Sequence, residues 1–213
     1  MLLHPQPDNH GKAVTIHHPH EPSALEAWAD VNATATVVPE GPLPKSLNDI
    51  PVIPLDAAAA CSEVWTRLAS DYTFEEPPFD PKDMKAAAGA VVVEPDGRVW
   101  LVAPTNAYGG YKATFPKGTA NGRDLRATAI KEVFEESGLQ VELSAFLVDV
   151  SRSLSRTRYY LARRIGGSPA TMGWESQAVH LAPLTRLKEL LNSSNDLPIL
   201  DALKKALAAS PCS

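Results

Sequence analysis

Three glutamates stand close together in the second half of the chain. Glu132, Glu135 and Glu136 are spaced i, i+3 and i+4, which places their carboxylates on one face of a helix within a single turn. Like charges at this spacing repel one another, so the cluster destabilises a helix unless a cation compensates it. Carboxylate oxygens are ligands that Mg²⁺ and Mn²⁺ prefer. The spacing fits a divalent-metal site, and it also fits an acidic helix face in solvent.

The residues on both sides of the cluster predict the helix that carries it. Asp124 is a favoured N-cap residue, and Gly138 is a typical C-terminal stop. No glycine or proline lies between Asp124 and Glu136, so a helix over residues 124–136 is expected. A loop that opens with Phe-Pro-Lys-Gly at residues 115–118 precedes this helix.

The loop and the helix together resemble the Nudix box, whose pattern is G-x5-E-x7-R-E-U-x-E-E-x-G-U with U an aliphatic residue. Gly118 lies at the loop end, and the helical end is Lys131-Glu132-Val133-Phe134-Glu135-Glu136-Ser137-Gly138-Leu139. The resemblance extends over about residues 86–190. It implies an α/β fold of the Nudix type, an α/β/α sandwich with a mixed sheet, here carrying an N-terminal extension.

The chain departs from the family pattern in the loop. Aligned from the helix, Lys131 stands in place of the family's arginine, Arg123 falls on the upstream glutamate position, and the loop is one residue short. Counted from Gly118 instead, Asp124 takes the glutamate position. We prefer the helix-anchored alignment, because helical periodicity fixes which residues share a face while loops absorb deletions. Two cations cannot form the family's Glu–Arg ion pair.

The resemblance implies a metal site and a reaction. Glu132 and Glu136 would be the principal ligands of Mg²⁺ or Mn²⁺, with Glu135 supporting them and the Gly118 carbonyl as a further ligand. The metal would polarise a diphosphate linkage and activate water for attack on phosphorus. We assign catalytic roles to Glu135 and to Glu175. Glu175 follows a tryptophan in a predicted loop and is a candidate general base or, alternatively, a loop cap.

Basic residues after the box are candidates for binding phosphate. In a strand over residues 157–164, Arg156, Arg158 and Tyr160 would share one face. Guanidinium groups at this spacing suit an extended polyphosphate, and Lys117 would add a contact. The alternative is ordinary surface arginine on a half-buried strand. Four aromatic residues could stack on a base or pack in the core: Tyr108, Tyr111, Tyr159 and Trp174.

The Phe-Pro-Lys-Gly loop and the arginine-rich strand resemble the dinucleoside-tetraphosphatase and diphosphoinositol-polyphosphate branch of the Nudix families. The expected substrate is therefore a nucleoside polyphosphate, a dinucleoside polyphosphate or a related nucleoside-diphosphate compound, cleaved with Mg²⁺. Two alternatives stay open. One is an ADP-ribose or nucleotide-sugar pyrophosphatase, and the other is a weakly catalytic module that binds a nucleotide.

Hydrophobic patterning predicts the elements around the box. A hairpin is expected around the Pro-Asp-Gly turn at residues 95–97. Further strands are expected at residues 112–115, 141–150, 157–164 and 177–181, and helices at residues 184–191 and 197–209. Because the opening hairpin and the later strand pairs lack helical crossovers, a mostly antiparallel sheet is expected.

Composition divides the chain near residue 85. Residues 1–85 hold 12 of the 19 prolines and carry 13 Asp or Glu against five Lys or Arg, whereas residues 86–213 carry 12 against 15. We predict an acidic extension over residues 1–85 and a Nudix hydrolase domain over residues 86–213. Short helices are expected after Ser23 and from Asp56 to Ala69. The extension could be a dimerisation arm or a cap over the site.

The overall composition narrows the class of protein. With 44% hydrophobic and 21% charged residues, the chain is typical of a soluble globular protein. Two cysteines, no signal-peptide pattern and no apolar run of about 18 residues predict a cytoplasmic protein outside the membrane. The net charge of −5 argues against nucleic acid as a partner. We expect a small phosphorylated substrate and a possible homodimer.

Overall fold

The computed structural model describes residues 1–55 and 62–209. The strands are β1 (Leu2–Leu3), β2 (Thr15–Ile16), β3 (Ala35–Val37), β4 (Ser46–Leu47), β5 (Ile50–Pro51), β6 (Lys85–Val93), β7 (Val99–Pro104), β8 (Lys117–Thr119), β9 (Leu139–Ser151), β10 (Ser155–Gly167) and β11 (Ser176–Ala182). The α-helices are α1 (Glu26–Ala29), α2 (Ser62–Ser70), α3 (Leu125–Ser137), α4 (Leu187–Leu190) and α5 (Leu197–Ala209).

One mixed sheet organises the molecule. Its strand order is β3-β11-β7-β6-β10-β9, and β8 pairs with β6 beside this path. β6 and β10 are parallel, and the other pairs in this sheet are antiparallel. On the edge of β6 away from β10, β8 pairs near the beginning of the strand and β7 pairs at its end. Because two strands share this edge of β6, β8 lies next to α3, the helix that carries the three glutamates.

Alternation along β6 and β10 builds two apolar cores, one on each face of the sheet. Ala88, Ala90 and Tyr160 belong to the core that includes residues of α2 and α3. Val91 and Tyr159 belong to the core that includes residues of α5. Helices therefore cover both faces of a mixed sheet, and the predicted α/β/α architecture is confirmed.

α3 has the predicted ends. The side chain of Asp124 accepts hydrogen bonds from the main-chain N–H groups of Arg126 and Ala127, which satisfies two donors that a helix leaves unpaired. Gly138 adopts a left-handed conformation with φ of 68°, and its N–H donates to the carbonyl of Phe134. A Cβ on Gly138 would lie 2.2 Å from the Ser168 carbonyl oxygen, so glycine is required there.

Other predicted elements differ from those observed. The strand expected at residues 112–115 is wrong: there Thr114 forms a single bridge to Val102, and the strand lies after Pro116, which has no N–H to donate. Ser23 does not cap α1 and instead accepts a hydrogen bond from the Thr36 N–H. The expected helix start at Asp56 lies outside the described residues.

The segment before residue 85 packs on the sheet. β3 pairs with β11 through Ala35–Val37, and the Trp28 ring lies 6.0 Å from the Trp100 ring. The side chain of Arg98 donates to the main-chain carbonyl of Trp28 at 2.7 Å. The division at residue 85 stays a prediction about domains, but many contacts cross it.

A buried ion pair is one of these contacts. Glu94 and Arg164 are both within 2% of full burial and are paired at 2.5 Å. Glu94 also accepts hydrogen bonds from Trp100 and from Asn48, and Arg164 donates to the Leu47 carbonyl. The pair thereby joins β4 and the turn after it to the sheet. Within the described ranges, no helix has the length and apolar character needed to cross a bilayer.

Candidate active site

α3 presents its three glutamates in different environments. Glu132 is only 8% exposed, whereas the side chain of Glu135 is 51% exposed. Glu136 is partly buried, and its Oε2 accepts a hydrogen bond from the main-chain N–H of Lys117 at 2.9 Å. β8 therefore contacts the helix at the glutamates, as the Nudix-box resemblance requires.

Gly118 lies directly against Glu132. A Cβ added to Gly118 would stand 2.0 Å from Glu132 Oε2 and 2.3 Å from Cδ, which is closer than any real Cβ contact. The strand can approach the helix this closely only because residue 118 has no side chain. The loop end and the helical end of the box meet at this point.

Lys131 occupies the space between two of the carboxylates. Its Nζ lies 3.2 Å from Glu132 Oε1 and also forms an ion pair with Glu135. In this arrangement, no three His, Cys, Asp or Glu side chains among residues 1–55 and 62–209 form a group that could hold a metal ion. The structure brings the three glutamates to one surface, and Lys131 pairs with two of them through Glu132 Oε1 and Glu135 Oε2.

The carboxylates perturb one another. Burial raises the pKa of Glu136 to about 8, with Glu132 and Glu175 adding repulsion and Lys117 opposing it. Burial likewise raises the pKa of Glu132 and of Glu175, and each of them also feels the charge of Glu135. Burial is the largest cause of each shift, so the charged form of these three carboxylates is disfavoured unless a cation lies nearby.

This donor set fits a divalent cation in chemical character. Partly buried carboxylates with raised pKa values are stabilised in their charged form by a nearby cation. Oxygen ligands from glutamate and from a glycine carbonyl suit Mg²⁺ or Mn²⁺. Nudix hydrolases generally use divalent metal ions, and the residues present here are compatible with that use.

Glu175 lies near the helix glutamates although it is 39 residues away from Glu136 in the chain. The N–H of Gly173 donates to the Glu135 carbonyl at 2.7 Å, and the Glu175 carbonyl accepts from the Thr105 N–H at 2.8 Å. The first bond fixes the loop before β11 against the end of α3, and the second fixes the loop to the residue that follows β7. Glu135 and Glu175 line a common pocket of about 380 Å³, which we call the Trp174 pocket.

The structure separates the predicted phosphate-binding residues. Lys117 is beside Glu136, and its Nζ lies 5.8 Å from the centre of the Tyr111 ring. Arg158 is instead buried in a two-bond pair with Asp149 at 2.8 Å.

Arg158 and Tyr160 share an acidic partner from the N-terminal segment. Glu76 Oε2 lies 3.1 Å from Arg158 Nη1 and accepts from the Tyr160 hydroxyl at 2.8 Å. The other Glu76 oxygen accepts from Arg126. Arg156 is partly buried on the same strand. The structure thus gives Arg158 and Tyr160 protein partners and does not bring them to the glutamates.

A second polar cluster was missed at the sequence level. Arg152 donates to the hydroxyls of Tyr111 and Tyr159, each at 2.8 Å, and to Asp196 Oδ1 at 2.9 Å. Asp196 is fully buried and stands far from Arg152 in the chain, so spacing offered no signal. Arg152 and the two tyrosines were visible as residue types, but their convergence depends on the fold.

No sequence pattern identifies two further residues of the Trp174 pocket as site residues. Gln6 and Asn9 line it although they belong to the first ten residues of a proline-rich segment. Lone amide side chains in such a segment carry no recognisable pattern. Their position depends on how the N-terminal segment folds back onto the sheet.

Comparisons with known proteins place the chain in a family. A family model for the NUDIX domain matches residues 83–203, which is more than half of the chain. Curated protein sequences give no significant match.

Solved structures with a similar fold include three hydrolases. An Ap4A hydrolase of C. elegans is 19% identical, with 58% of this chain and 99% of that chain covered and a TM-score of 0.48. An ADP-ribose pyrophosphatase of Streptococcus suis is 21% identical, with 61% and 93% covered and a TM-score of 0.47. A UDP-X diphosphatase is 17% identical, with 72% of each chain covered and a TM-score of 0.48.

These structural similarities are too weak to select a substrate, so the assignment depends on the family model. That match spans β6 to α5 and includes the loop, the helix and the glutamates described above. The membership expected from the box is confirmed: the chain belongs to the NUDIX domain family of pyrophosphohydrolases.

Proposed function

We propose that this protein hydrolyses a diphosphate linkage in a nucleoside polyphosphate, dinucleoside polyphosphate or related nucleoside-diphosphate compound, with Mg²⁺ or Mn²⁺. The observation that carries the proposal is the meeting of Gly118, Glu132 and Glu136 where β8 contacts α3. The names of the solved relatives, an Ap4A hydrolase, an ADP-ribose pyrophosphatase and a UDP-X diphosphatase, agree with this substrate class.

In this proposal the chain holds the metal through α3 and β8. Glu132 and Glu136 are the main ligands, Glu135 supports them, and the Gly118 carbonyl adds an oxygen. A bound divalent ion would polarise the phosphoryl oxygens and lower the pKa of water. Lys131 forms ion pairs with Glu132 and Glu135 beside these ligands. Lys117, whose N–H already holds Glu136, is placed to contact a phosphate with its ammonium group.

Glu175 is the proposed general base. Its carboxylate is accessible, it lines the Trp174 pocket with Glu135, and burial and Glu135 together raise its pKa. A raised pKa improves a carboxylate as a proton acceptor near neutral pH. Glu135 is the other candidate for this role. A cytoplasmic location, a homodimer and a separate domain over residues 86–213 remain predictions.

The test is hydrolysis of a panel of nucleotides, dinucleotides and nucleotide sugars with Mg²⁺ or Mn²⁺. Glu136→Gln should lower kcat by at least about a hundredfold, because a neutral amide is a much weaker ligand for a divalent cation than a carboxylate. The matched control is Glu142→Gln, since Glu142 lies on β9 and forms a surface ion pair with Arg163 of β10. Absence of any product from the wild type, or full activity of Glu136→Gln, would contradict the proposal.

A nucleotide-binding module is the second candidate. The ammonium group of Lys131 between Glu132 and Glu135 favours it, because this group already compensates the carboxylates. Calorimetric titration with Mg²⁺ in the presence of a non-hydrolysable nucleotide separates the two. The hydrolase is expected to bind the metal, and a module that uses Lys131 as its cation is not.

A further inference from the structure

The lining of the Trp174 pocket comes both from the NUDIX domain and from the segment before it. α3 supplies Phe134 and Glu135, and the loop before β11 supplies Trp174. Gln6 and Asn9 complete the lining from a segment that lies more than 70 residues before the matched NUDIX domain. We call residues 4–9 the N-terminal arm. The pocket exists in this form only because the arm folds over the end of the helix.

The N-terminal arm is held in place by its own hydrogen bonds. His4 is 4% exposed, and its main-chain N–H donates to the Val14 carbonyl at 2.8 Å. The Gln6 N–H donates to His4 Nδ1 at 3.0 Å. At the far end of the arm, the indole N–H of Trp174 lies 3.3 Å from Asn9 Oδ1. The arm is therefore anchored at a buried histidine and contacts the pocket's tryptophan.

The chemistry of the lining selects a class of ligand. Trp174 and Phe134 offer partly buried aromatic surface, and the amides of Gln6 and Asn9 offer both donors and acceptors. Among the described lining residues, Lys131 is the one cation, and it is already paired with two glutamates. Glu135 and Glu175 would repel phosphate groups. The pocket suits a neutral, planar group with polar edges.

A nucleobase is neutral and planar and has polar edges. An inositol polyphosphate or a second phosphate chain is instead highly charged and not planar. Bases stack on the faces of aromatic side chains such as tryptophan in single-stranded nucleic-acid complexes. Asn and Gln amides pair with the donor and acceptor atoms of base edges. The pocket volume of about 380 Å³ lies within the usual range for small-molecule sites.

We propose that the Trp174 pocket binds the nucleobase of the substrate, with the base against Trp174 and its polar edge facing Gln6 and Asn9. The inference rests on the proposed function, because the base would then occupy this pocket while the diphosphate of the same substrate lies outside it, at the proposed metal ligands Glu132 and Glu136. The N-terminal arm is on this account a specificity element that the NUDIX domain itself lacks.

The test uses the double variant Gln6→Ala/Asn9→Ala. Both side chains are exposed, so the fold should persist. The substrates are versions of the compound that the wild type cleaves best, differing only in the base, and inorganic pyrophosphate serves as a base-free inhibitor. KM should rise about threefold to tenfold for each hydrogen bond lost, and the differences in KM between substrates with different bases should become smaller. The kcat and the Ki of pyrophosphate should stay unchanged.

Asn32→Ala is the matched control, because Asn32 is an exposed amide of the same N-terminal segment outside the pocket. An unchanged KM in the double variant would overturn the inference. So would an equal weakening of substrate and pyrophosphate, which would indicate a general effect on the site.

A separate measurement distinguishes this inference from the proposed function. If the wild type cleaves nothing, the hydrolase proposal fails, and nucleoside binding is then followed by tryptophan fluorescence with adenosine, guanosine, uridine and cytidine. Binding that weakens in the double variant supports the nucleobase pocket. Absence of binding to the wild type, or equal binding to both proteins, overturns it.

Discussion

Gly118 is the residue on which the proposed site depends most directly. Its missing side chain leaves the space that the Glu132 carboxylate fills, and a Cβ would lie 2.0 Å from Oε2. Gly118→Ala should displace this carboxylate rather than unfold the strand, because the end of a glutamate side chain can rotate away. We expect kcat to fall at least about tenfold, as for other changes that misplace a metal ligand.

The check is steady-state kinetics together with thermal unfolding of the same variant. Thr119→Ala is a suitable comparison, since it changes the next residue of β8 and adds no atom toward Glu132. An active Gly118→Ala enzyme with unchanged metal dependence would show that Glu132 is not a ligand.

His180 makes a pH-dependent contribution to stability. It is 6% exposed on β11, its Nδ1 lies 2.9 Å from the Thr36 hydroxyl, and its ring centre is 5.4 Å from that of His20. Burial, and then the nearby His20, lower the pKa of His180 to about 4. The unfolded chain therefore binds a proton at His180 below pH 6.5 that the folded chain excludes, and folding stability decreases as the pH falls from 6.5 to 4.

The expected loss across this range is at most about 3 kcal/mol for this group. Urea unfolding of the wild type and of His180→Gln at pH 7 and pH 4.5 measures it, because only the wild type carries this share of the pH dependence. His10→Gln, at an exposed position, should retain the wild-type slope. Equal slopes for wild type and His180→Gln would contradict the assignment.

Local spacing identified the helix glutamates, because i, i+3 and i+4 positions share a face in any α-helix. The same kind of argument grouped Arg158 with Tyr160, and both do contact Glu76. Strand periodicity, however, does not tell which face is covered by a distant segment. Glu76 lies 82 residues before Arg158, and no local pattern connects them.

At the scale of elements, α3 carries the three glutamates of the site, and its N-cap should contribute measurably to the free energy of unfolding. Asp124 Oδ1 accepts from the N–H groups of Arg126 and Ala127 at 2.9 and 3.0 Å. Asp124→Ala should lower the free energy of unfolding by about 1 kcal/mol. Asp124→Asn, which keeps an accepting oxygen, should lose much less. Urea unfolding of the three proteins decides this, and equal losses in both variants would exclude the cap as the cause.

The elements also show where prediction from local signals ends. Caps and glycine stops predicted α3 to within one residue at each end, because those signals lie next to the helix. The parallel pairing of β6 with β10 joins strands about 70 residues apart in the chain. Nothing in either strand specifies that partner. The patterning also does not predict β8, which is three residues long. Its pairing with β6 requires a glycine at residue 89, where a Cβ would lie 2.2 Å from the Pro116 carbonyl oxygen.

At the scale of the whole molecule, the composition break near residue 85 does not coincide with a gap in packing. β3 extends the sheet beside β11, Glu76 joins three residues of the matched domain, and the buried Glu94–Arg164 pair holds the Leu47 carbonyl. The N-terminal arm also lines the proposed nucleobase pocket. We therefore expect the N-terminal segment and the NUDIX domain to unfold together.

Trp28 offers the sharpest test of this coupling. It is 2% exposed and packs on Trp100 of β7, and removing so large a side chain costs about 3–5 kcal/mol. If the chain is one cooperative unit, Trp28→Ala shifts a single urea transition that circular dichroism and loss of hydrolysis report at the same midpoint.

The alternative to one cooperative unit gives a different curve. If residues 1–85 formed an independent extension, Trp28→Ala would produce an early transition in that segment while the sheet kept the wild-type midpoint. Leu25→Ala controls for the substitution itself, because Leu25 lies just before α1 and is 50% exposed. Coupling is the expected result, since the surfaces that Trp28 and β3 cover on β7 and β11 would otherwise be apolar and open to water.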